Sequence, residues 1–164
     1  MKFHPSLVYT HTDSALGSMV LAATDLGLAG VWFDGQRHQP DMGAWRLDAH
    51  HPVLLQTATQ LQSYFAGQRT TFDLPLDLRA GTEFQQQVWR ALYAIAPGAT
   101  LSYGALSVQI DRPRAMRAVG AAVGRNPISV IVPCHRVLGA DGSLTGYAGG
   151  LNRKTALLQL EGVL

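Results

Sequence analysis

The sequence predicts an α+β fold in which a small antiparallel sheet is followed by a mostly helical part. Three observations support this prediction. Short apolar runs separated by turn residues fill the first 33 positions, apolar residues then recur at helical spacing, and two short helical segments flank a tight turn after Ser102. We place the division after residue 78, with a sheet domain over 1–78 and a helical domain over 79–164.

Three strands are predicted in the first domain. The apolar runs lie around Val8 and Tyr9, from Met19 to Ala23 and from Leu28 to Phe33. Segments with Gly, Ser and Asp separate them, as expected for the turns of an antiparallel meander. The polar segment Asp34–Pro52 has no periodicity, so we expect an irregular connection there.

Two amphipathic helices come next. Their apolar faces are formed by Leu54, Ala58, Leu61 and Phe65 in the first and by Phe84, Val88, Leu92 and Ile95 in the second. Gly67 ends the first helix, and Pro97 and Gly98 end the second, because these residues cannot easily continue a helix. The stretch Arg69–Thr82 is predicted to link the two domains.

Residues Ser102–Ile110 and Arg114–Arg125 predict two short helices separated by a turn, the outline of a helix-turn-helix. One face of the second helix is predicted to be core, with Ala115, Met116, Val119, Ala122 and Val123. The opposite face carries Arg114, Arg117, Ala121 and Arg125, and the small residues Ala118, Gly120 and Gly124 allow close approach to a groove. The alternative is an ordinary solvated helix.

Charge and cysteine content restrict the function classes. The net charge is only +2, but five arginines against one acid lie between Ser102 and Arg136, which favours a local basic surface. Cys134 is the only cysteine, so an intramolecular disulfide and a cysteine zinc cluster are excluded and a reducing cytoplasm is expected. No apolar run reaches the roughly 18 residues of a membrane span. We therefore expect an unexported cytoplasmic protein without membrane contact.

Cys134 is the candidate nucleophile. The apolar run Ile128–Val132 predicts a buried strand that delivers Cys134 and His135 to its end. A thiol reacts as thiolate and needs a base or a positive neighbour, for which His135 and Arg136 are candidates. Adjacent side chains of an extended segment point to opposite sides, so His135 could act through a water. An inert buried cysteine is the alternative.

The C-terminal segment supplies the remaining candidates. Five glycines between Gly139 and Gly150 surround Tyr147, and a final helix over Asn152–Leu160 is predicted with Asn152 as its cap. Glu161 at its end is one of only two glutamates, and most aspartates lie in predicted loops. Glu161 is therefore the simplest candidate for a carboxylate that orients a histidine. Simple solvation of Glu161 is the alternative.

Several motifs together resemble one family. These are Pro133-Cys134-His135-Arg136-Val137, Arg117-Ala118-Val119-Gly120, Asn126-Pro127 and Gly146-Tyr147-Ala148-Gly149-Gly150-Leu151. The pattern resembles the methylated-DNA–protein-cysteine methyltransferases, or alkylguanine-DNA alkyltransferases, from about Phe84 to Glu161. Earlier residues match loosely, mainly in Gly17–Phe33, where the family has a small sheet domain of ribonuclease-H-like shape.

The resemblance implies DNA repair by irreversible, stoichiometric transfer of the alkyl group from O6 of guanine in duplex DNA to Cys134. It implies that Glu161, His135 and a bound water form the relay that makes the thiolate, and that Asn126 orders the turn holding this relay. The thioether product has no easy route back to a thiol, so each molecule acts once. No cofactor is implied.

The same resemblance implies the DNA and substrate contacts. The second helix of the motif enters the minor groove, Arg117 replaces the extruded base in the stack, and Tyr103 crowds the phosphate and promotes its rotation. The implied DNA-binding residues are Arg117, Tyr103, Ser102, Ala118, Ala121 and Arg125. The implied substrate-binding residues are Tyr147, which also helps to protonate the leaving guanine, the backbone at Val137, the backbone amide of Ala148, and Arg136.

Other properties follow from the resemblance. The partner is double-stranded DNA containing O6-alkylguanine, the protein is expected to be a monomer, and cooperative binding along DNA is left open. Some relatives bind a structural zinc through N-terminal cysteines and histidines, but this chain has no cysteine before Cys134. We therefore expect no metal site, and His50 and His51 to be solvated.

Three other functions compete with this interpretation. A damage-recognition protein without repair activity is disfavoured because such cousins replace the cysteine that Cys134 provides. A cysteine hydrolase or thiol peroxidase would need no basic helix-turn-helix. A transcription regulator that reads the major groove is disfavoured because the exposed helix face offers no Asn or Gln to read adenine.

Overall fold

The computed structural model describes residues 1–164, and its first part is a four-stranded sheet in the order β3-β2-β1-β4. The strands are β1 Val8–Ser14, β2 Gly17–Thr24, β3 Gly27–Phe33 and β4 Arg46–Leu47. The first three pair antiparallel, which confirms the predicted meander. β4 pairs parallel with β1, so the prediction that Asp34–Pro52 is wholly irregular was wrong. A strand of two residues is too short to show alternation in a sequence.

Apolar side chains cover both faces of the sheet. One face, which includes Leu21, packs against helix α1 (Pro52–Phe65) in the main core. The other face holds Trp32, whose ring lies 5.6 Å from that of Phe3 and 5.9 Å from that of Trp45. Because both faces are removed from water, β3 is a continuous apolar run rather than an alternating one.

Helix α2 (Glu83–Tyr93) begins with a capping box. The hydroxyl of Thr82 accepts from the amide of Gln85 at 3.2 Å, and the Gln85 side chain accepts from the Thr82 amide at 3.0 Å. Further along the helix, the indole N–H of Trp89 donates to the carbonyl of Ala122 at 2.8 Å. This bond holds α2 beneath the following helices.

The predicted helix-turn-helix is present as α3 (Tyr103–Gln109) and α4 (Met116–Gly124). Asp111, in the turn between them, has a positive φ of 57°. The buried face of α4 is formed by Val119, Ala122 and Val123, as predicted. Met116 is 54% exposed, so its assignment to the core was wrong. It is the first residue of α4, and the bond from α2 reaches only the second half of that helix.

The predicted strand Ile128–Val132 is not a strand. Its beginning bonds to β3, where Val31 donates to the carbonyl of Pro127 at 2.8 Å and accepts from the amide of Ser129 at 2.9 Å. The chain then turns, with Val130 at a φ of +72°. A β-branched residue is strained there and stays only where its surroundings hold it. The apolar composition of this segment correctly predicted that it is buried, but it did not predict the backbone conformation.

A short turn, two small strands and one helix complete the fold. These are the 3-10 turn Cys134–Arg136, β5 Leu101–Ser102 paired parallel with β6 Val137–Leu138, and α5 Leu151–Leu160. Gly150 precedes α5 with a φ of +92°, a conformation that favours glycine. The helix therefore begins before Asn152, and the prediction that Asn152 caps it was wrong.

The main core, of 27 buried residues, extends over both parts of the chain. It includes Leu21 of β2 and Leu157 of α5, so sheet and helices exclude water together. The division after residue 78 stays a prediction. No helix has the length and apolar character that crossing a membrane requires.

Candidate functional site

Cys134 lines a cavity of about 580 Å³ and is only 6% exposed. The cavity also touches the helix-turn-helix through Tyr103, Gly120 and Ala121 and the glycine-rich segment through Tyr147. The predicted nucleophile and the predicted DNA-binding helix therefore share one cavity.

Asn126 organises the turn that carries the thiol. Its side-chain amide donates to the sulfur of Cys134 at 3.1 Å and to the carbonyl of Val132 at 2.8 Å. Its side-chain carbonyl accepts from the amide of Ile128 at 3.0 Å. One buried side chain thus satisfies backbone groups that a strand ladder would otherwise satisfy. This is the physical reason why the segment turns and why the thiol is held in place.

His135 is fully buried, and its Nε2 lies 2.8 Å from Oε1 of Glu161. Burial lowers the pKa of His135, and the bond to Glu161 offsets this only in part, so the ring is neutral. Because Nε2 of the neutral ring carries the proton and donates it in a hydrogen bond to the carboxylate, Nδ1 is left with a lone pair. Nδ1 is buried and has no hydrogen-bond partner within the protein. His135 can therefore act as a base that accepts a proton at Nδ1.

Glu161 receives donors from three side chains. Arg136 donates to Oε2 through Nε and to Oε1 through a terminal nitrogen, each at 2.8 Å, and the Tyr64 hydroxyl donates to Oε1 at 2.7 Å. Burial by itself would raise the pKa of Glu161, but the bonds from Arg136, His135 and Tyr64 outweigh it and hold the pKa well below its usual range. Glu161 is thus a firmly ionised carboxylate, and the solvated alternative is wrong.

Arg136 does not reach the cavity. Besides the fork to Glu161, it donates to the carbonyl of Ile95 at 2.5 Å, so its guanidinium is committed on the side away from Cys134. A direct contact between Arg136 and substrate stays a prediction, and the contacts observed for Arg136 are those with Glu161 and Ile95. The 3-10 turn directs consecutive side chains to different sides of the segment. Arg136 positions the carboxylate.

The thiol of Cys134 is held in its neutral form in the resting protein. Burial raises the pKa of Cys134, while the bond from Asn126 and the positive charge of Lys154 oppose this rise. No hydrogen bond joins the thiol of Cys134 directly to the ring of His135. Since a buried thiolate is costly, a base has to take the proton when the reaction begins.

The glycine-rich segment forms another wall of the cavity. The hydroxyl of Tyr147 is buried and has no hydrogen-bond partner in the protein, and burial raises the pKa of Tyr147, which keeps it protonated. Ala148 lines the cavity beside it, and its amide makes no bond within the protein. Val137 is fully buried and does not line the cavity. The hydroxyl of Tyr147 and the amide of Ala148 are therefore two unpaired donors in the wall of the cavity that Cys134 also lines.

The predicted DNA-binding residues lie around the mouth of the cavity and on α4. Arg117, Ala118, Ala121 and Arg125 are exposed. Tyr103 lines the cavity, and a methyl group at Gly120 would lie 3.8 Å from its ring. Ser102 caps α3 by accepting from the amide of Ala105 at 3.0 Å. The structure thus presents a small, basic helix face beside the thiol.

Known proteins are similar to this chain over most of its length. The model of the 6-O-methylguanine DNA methyltransferase DNA binding domain matches residues 83–163, and that of the ribonuclease-like domain of the same protein matches residues 7–78. A methylated-DNA--protein-cysteine methyltransferase of Mycobacterium tuberculosis is 51% identical over 154 residues, which is 93% of this chain and 91% of the relative. The chain belongs to the 6-O-methylguanine DNA methyltransferase family.

Other members of the methyltransferase family extend the comparison. A methylated-DNA--protein-cysteine methyltransferase of Methanosarcina acetivorans is 44% identical, over 95% of this chain and 99% of the relative. A crystal structure of Mycobacterium tuberculosis OGT in complex with DNA superposes with a TM-score of 0.88 at 49% identity, covering 94% of this chain and 93% of that one. The family suggested by the sequence motifs and the α+β fold class are therefore confirmed.

Lys154 is a residue of this methyltransferase site that the sequence analysis missed. Its ammonium is buried and donates to the carbonyls of Val137 at 2.6 Å, Thr145 at 2.9 Å and Gly146 at 3.2 Å. It thereby ties the glycine-rich segment to the strand after Cys134. Its position three residues before the buried Leu157 placed it on the core side of α5, which is the signal that could have revealed it.

Arg37 and His38 were also missed, because they lie in a segment without periodicity. Both line the cavity, and the amide of Arg37 donates to the carbonyl of Ala148 at 3.0 Å. His38 has a positive φ of 66°. Its pKa is lowered by partial burial and by the charges of Arg125 and Arg37. The sheet domain thus adds positive charge to the mouth of the cavity, and no local sequence signal reveals it.

Proposed function

We propose that this protein repairs DNA by moving an alkyl group from O6 of guanine in duplex DNA to Cys134, once per molecule. The observation that carries this proposal is that the sulfur of Cys134, held by Asn126, lines the same cavity as the helix-turn-helix. The related proteins named methylated-DNA--protein-cysteine methyltransferase support the same activity. The chain is thus a single-turnover methyltransferase that is consumed by its reaction.

The reaction balances without a cofactor. The thiolate sulfur attacks the alkyl carbon, an S–C bond forms as the C–O6 bond breaks, and the electron pair of the broken bond stays on guanine. The proton that left the thiol ends on guanine, so the products are a thioether and a repaired neutral base. A thioether, unlike an acyl-enzyme, is not hydrolysed under mild conditions, and the protein remains alkylated.

His135 and Glu161 supply the base for this step. The lone pair on Nδ1 accepts the proton of Cys134 through a water, and the resulting imidazolium is stabilised by the ionised Glu161 at 2.8 Å from Nε2. Asn126 steadies the thiolate through its 3.1 Å bond to sulfur. Burial keeps the thiol of Cys134 neutral, so the thiolate forms only when His135 accepts the proton.

Helix α4 delivers the damaged base. A base stacked in duplex DNA is out of reach of a buried thiol, so the nucleotide has to rotate out of the helix at a cost of a few kcal/mol. We assign Arg117 to the space left in the stack and Tyr103 to the rotating phosphate. Ala118 and Ala121 let the backbone approach the minor groove, while Arg125 and the start of α3 at Ser102 contact phosphates.

Tyr147 and Ala148 recognise the flipped base. The protonated hydroxyl of Tyr147 assists the leaving guanine, and the free amide of Ala148 donates to O6. We also assign the backbone near Val137 to the flipped base, whereas Arg136 acts through Glu161. Since the whole site comes from one chain, we expect a monomer acting on DNA in a reducing cytoplasm, where Cys134 stays a thiol.

Intact mass tests the transfer. The protein is incubated with a duplex carrying one O6-methylguanine, with Cys134→Ala as the matched control. We expect a gain of about 14 Da on Cys134 that stops at one equivalent, and no gain in the control. Tight binding with unchanged mass would instead identify a protein that recognises damage without repairing it.

Salt dependence tests the DNA contact. If roughly three to five cations meet phosphates, the logarithm of the binding constant should fall against the logarithm of salt concentration with a slope of about −3 to −4. Competition with unmodified duplex at several salt concentrations measures this slope. A slope near zero would contradict the assigned DNA surface.

A further inference from the structure

Tyr64 connects the sheet domain to the proposed catalytic relay. It lies on α1, is 2% exposed, and donates its hydroxyl proton to Oε1 of Glu161 at 2.7 Å across 97 positions of sequence. We infer that Tyr64 is a positioning residue for alkyl transfer, which holds Oε1 of Glu161 at His135 and keeps the relay proton on the histidine. This inference rests on the function proposed above.

The contact is specific to the oxygen that serves the histidine. Oε1 of Glu161 accepts from His135, Tyr64 and one nitrogen of Arg136, whereas Oε2 accepts only from Nε of Arg136. The fork of Arg136 fixes the plane of the carboxylate. The hydroxyl of Tyr64 is the third donor to Oε1, beside His135 and Arg136, so the position of this oxygen is fixed by three hydrogen bonds.

The ring of Tyr64 is itself fixed. Its centroid lies 5.3 Å from that of Phe65, edge to face, and 5.3 Å from that of Phe72. Such packing would be served equally by phenylalanine, which brings no buried hydroxyl that needs a partner. The hydroxyl of Tyr64 bonds to Glu161 alone. The polar atom is therefore the part of this residue that core packing does not explain.

The bond has a chemical consequence for the proton. A carboxylate with several donors is a weak base, because its charge is already compensated. Burial raises the pKa of Tyr64, so the hydroxyl remains a donor throughout the reaction. When His135 takes the proton of Cys134, Glu161 then stabilises the imidazolium without capturing that proton. The proton stays available for the departing guanine.

The test uses the full chain with Tyr64→Phe and, as matched control, Tyr93→Phe. Tyr93 is 42% exposed and its hydroxyl donates only to the carbonyl of Phe72 at 3.3 Å. Rate constants are measured with excess free O6-benzylguanine and with a duplex carrying O6-methylguanine. Because the alkylguanine is in excess, protein that stays unfolded lowers the amplitude of the reaction and leaves its rate constant unchanged.

We expect Tyr64→Phe to slow both reactions about tenfold at neutral pH, the effect of losing one hydrogen bond to a charged group. Tyr93→Phe should match the wild type. With one donor fewer, the charge of Glu161 is less compensated, so the coupled pair of His135 and Glu161 keeps its added proton to higher pH. The acid side of the pH–rate profile should therefore move to higher pH. A purely structural defect would lower the rate equally at every pH.

A second background completes the test. Combined with Glu161→Gln, Tyr64→Phe should cause no further slowing, because the carboxylate through which it acts is gone. The inference is overturned if Tyr64→Phe reacts like Tyr93→Phe, or if it slows both backgrounds by the same factor at every pH. Absence of alkyl transfer in the wild type would overturn the proposed function itself, and the inference with it.

Discussion

Replacing Lys154 with methionine should destabilise the protein and slow alkyl transfer. The substitution keeps an unbranched apolar stem but removes the ammonium from three carbonyls, those of Val137, Thr145 and Gly146. Thr145 and Gly146 are exposed, so water can replace the lost donor there. Val137 is fully buried, and its carbonyl loses a charged donor that water cannot easily replace.

The magnitude follows from these contacts. A buried acceptor left without its partner costs about 1–3 kcal/mol. Burial lowers the pKa of Lys154, which shows that folding disfavours its charge, and methionine removes this unfavourable part. We therefore expect a net loss near the middle of that range, about 2 kcal/mol, which corresponds to a fall in Tm of about 6 °C for a chain of this size.

Urea unfolding measures the stability, and single-turnover alkylation by free O6-benzylguanine at 25 °C measures the site. Lys2→Met is the matched control, because Lys2 is the only other lysine and is exposed. Alkylation should slow in Lys154→Met even where the protein is fully folded, since Tyr147 loses the anchor of its segment. Equal unfolding free energies for Lys154→Met and Lys2→Met would refute the reasoning.

Three further outcomes are expected. Arg117→Ala should slow repair of duplex DNA much more than reaction with the free base, because only duplex DNA requires a flipped nucleotide; equal losses would count against the arginine. Asn126→Ala removes the bond to sulfur, so it should raise the pKa of Cys134 further and slow alkylation about tenfold. The ultraviolet absorbance of the thiolate against pH would measure the change in pKa. Burial raises the pKa of Glu161, but its hydrogen bonds outweigh burial and hold that pKa below the unfolded value. The ionised carboxylate therefore stabilises the fold above about pH 4.3, and this stabilisation is lost as pH falls through the folded pKa. In urea titrations between about pH 5 and pH 3, Glu161→Gln should lose less stability than the wild type does.

Much of the fold could be predicted because it depends on local patterns. Helices α1, α2, α3 and α4 showed either apolar residues at a 3.6-residue spacing or breakers at their ends, and three strands of the sheet lay between turn residues. The errors fell where a tertiary contact decides the backbone. Val130 turns with a positive φ because the side chain of Asn126 satisfies the amide of Ile128 and the carbonyl of Val132.

The site shows the same distinction. Cys134, His135 and Glu161 could be predicted from residue types and motifs, since a thiol needs a base and a base needs a carboxylate. The bonds of Arg136 to Glu161 and Ile95 could not be predicted, because a sequence does not show to which side a 3-10 turn directs a side chain. Lys154 looked like an ordinary helix lysine until the carbonyls around it were seen.

By itself the sequence determined the α+β class, the helix-turn-helix, the single nucleophile and the family, because these depend on composition, spacing and short motifs. Only the tertiary structure decided which groups meet across the chain, such as Tyr64 with Glu161 and Arg37 with Ala148. Those contacts arise when the shared core brings the sheet against the helices. No local pattern encodes the contacts, because their energy comes from excluding water between segments that are distant in sequence.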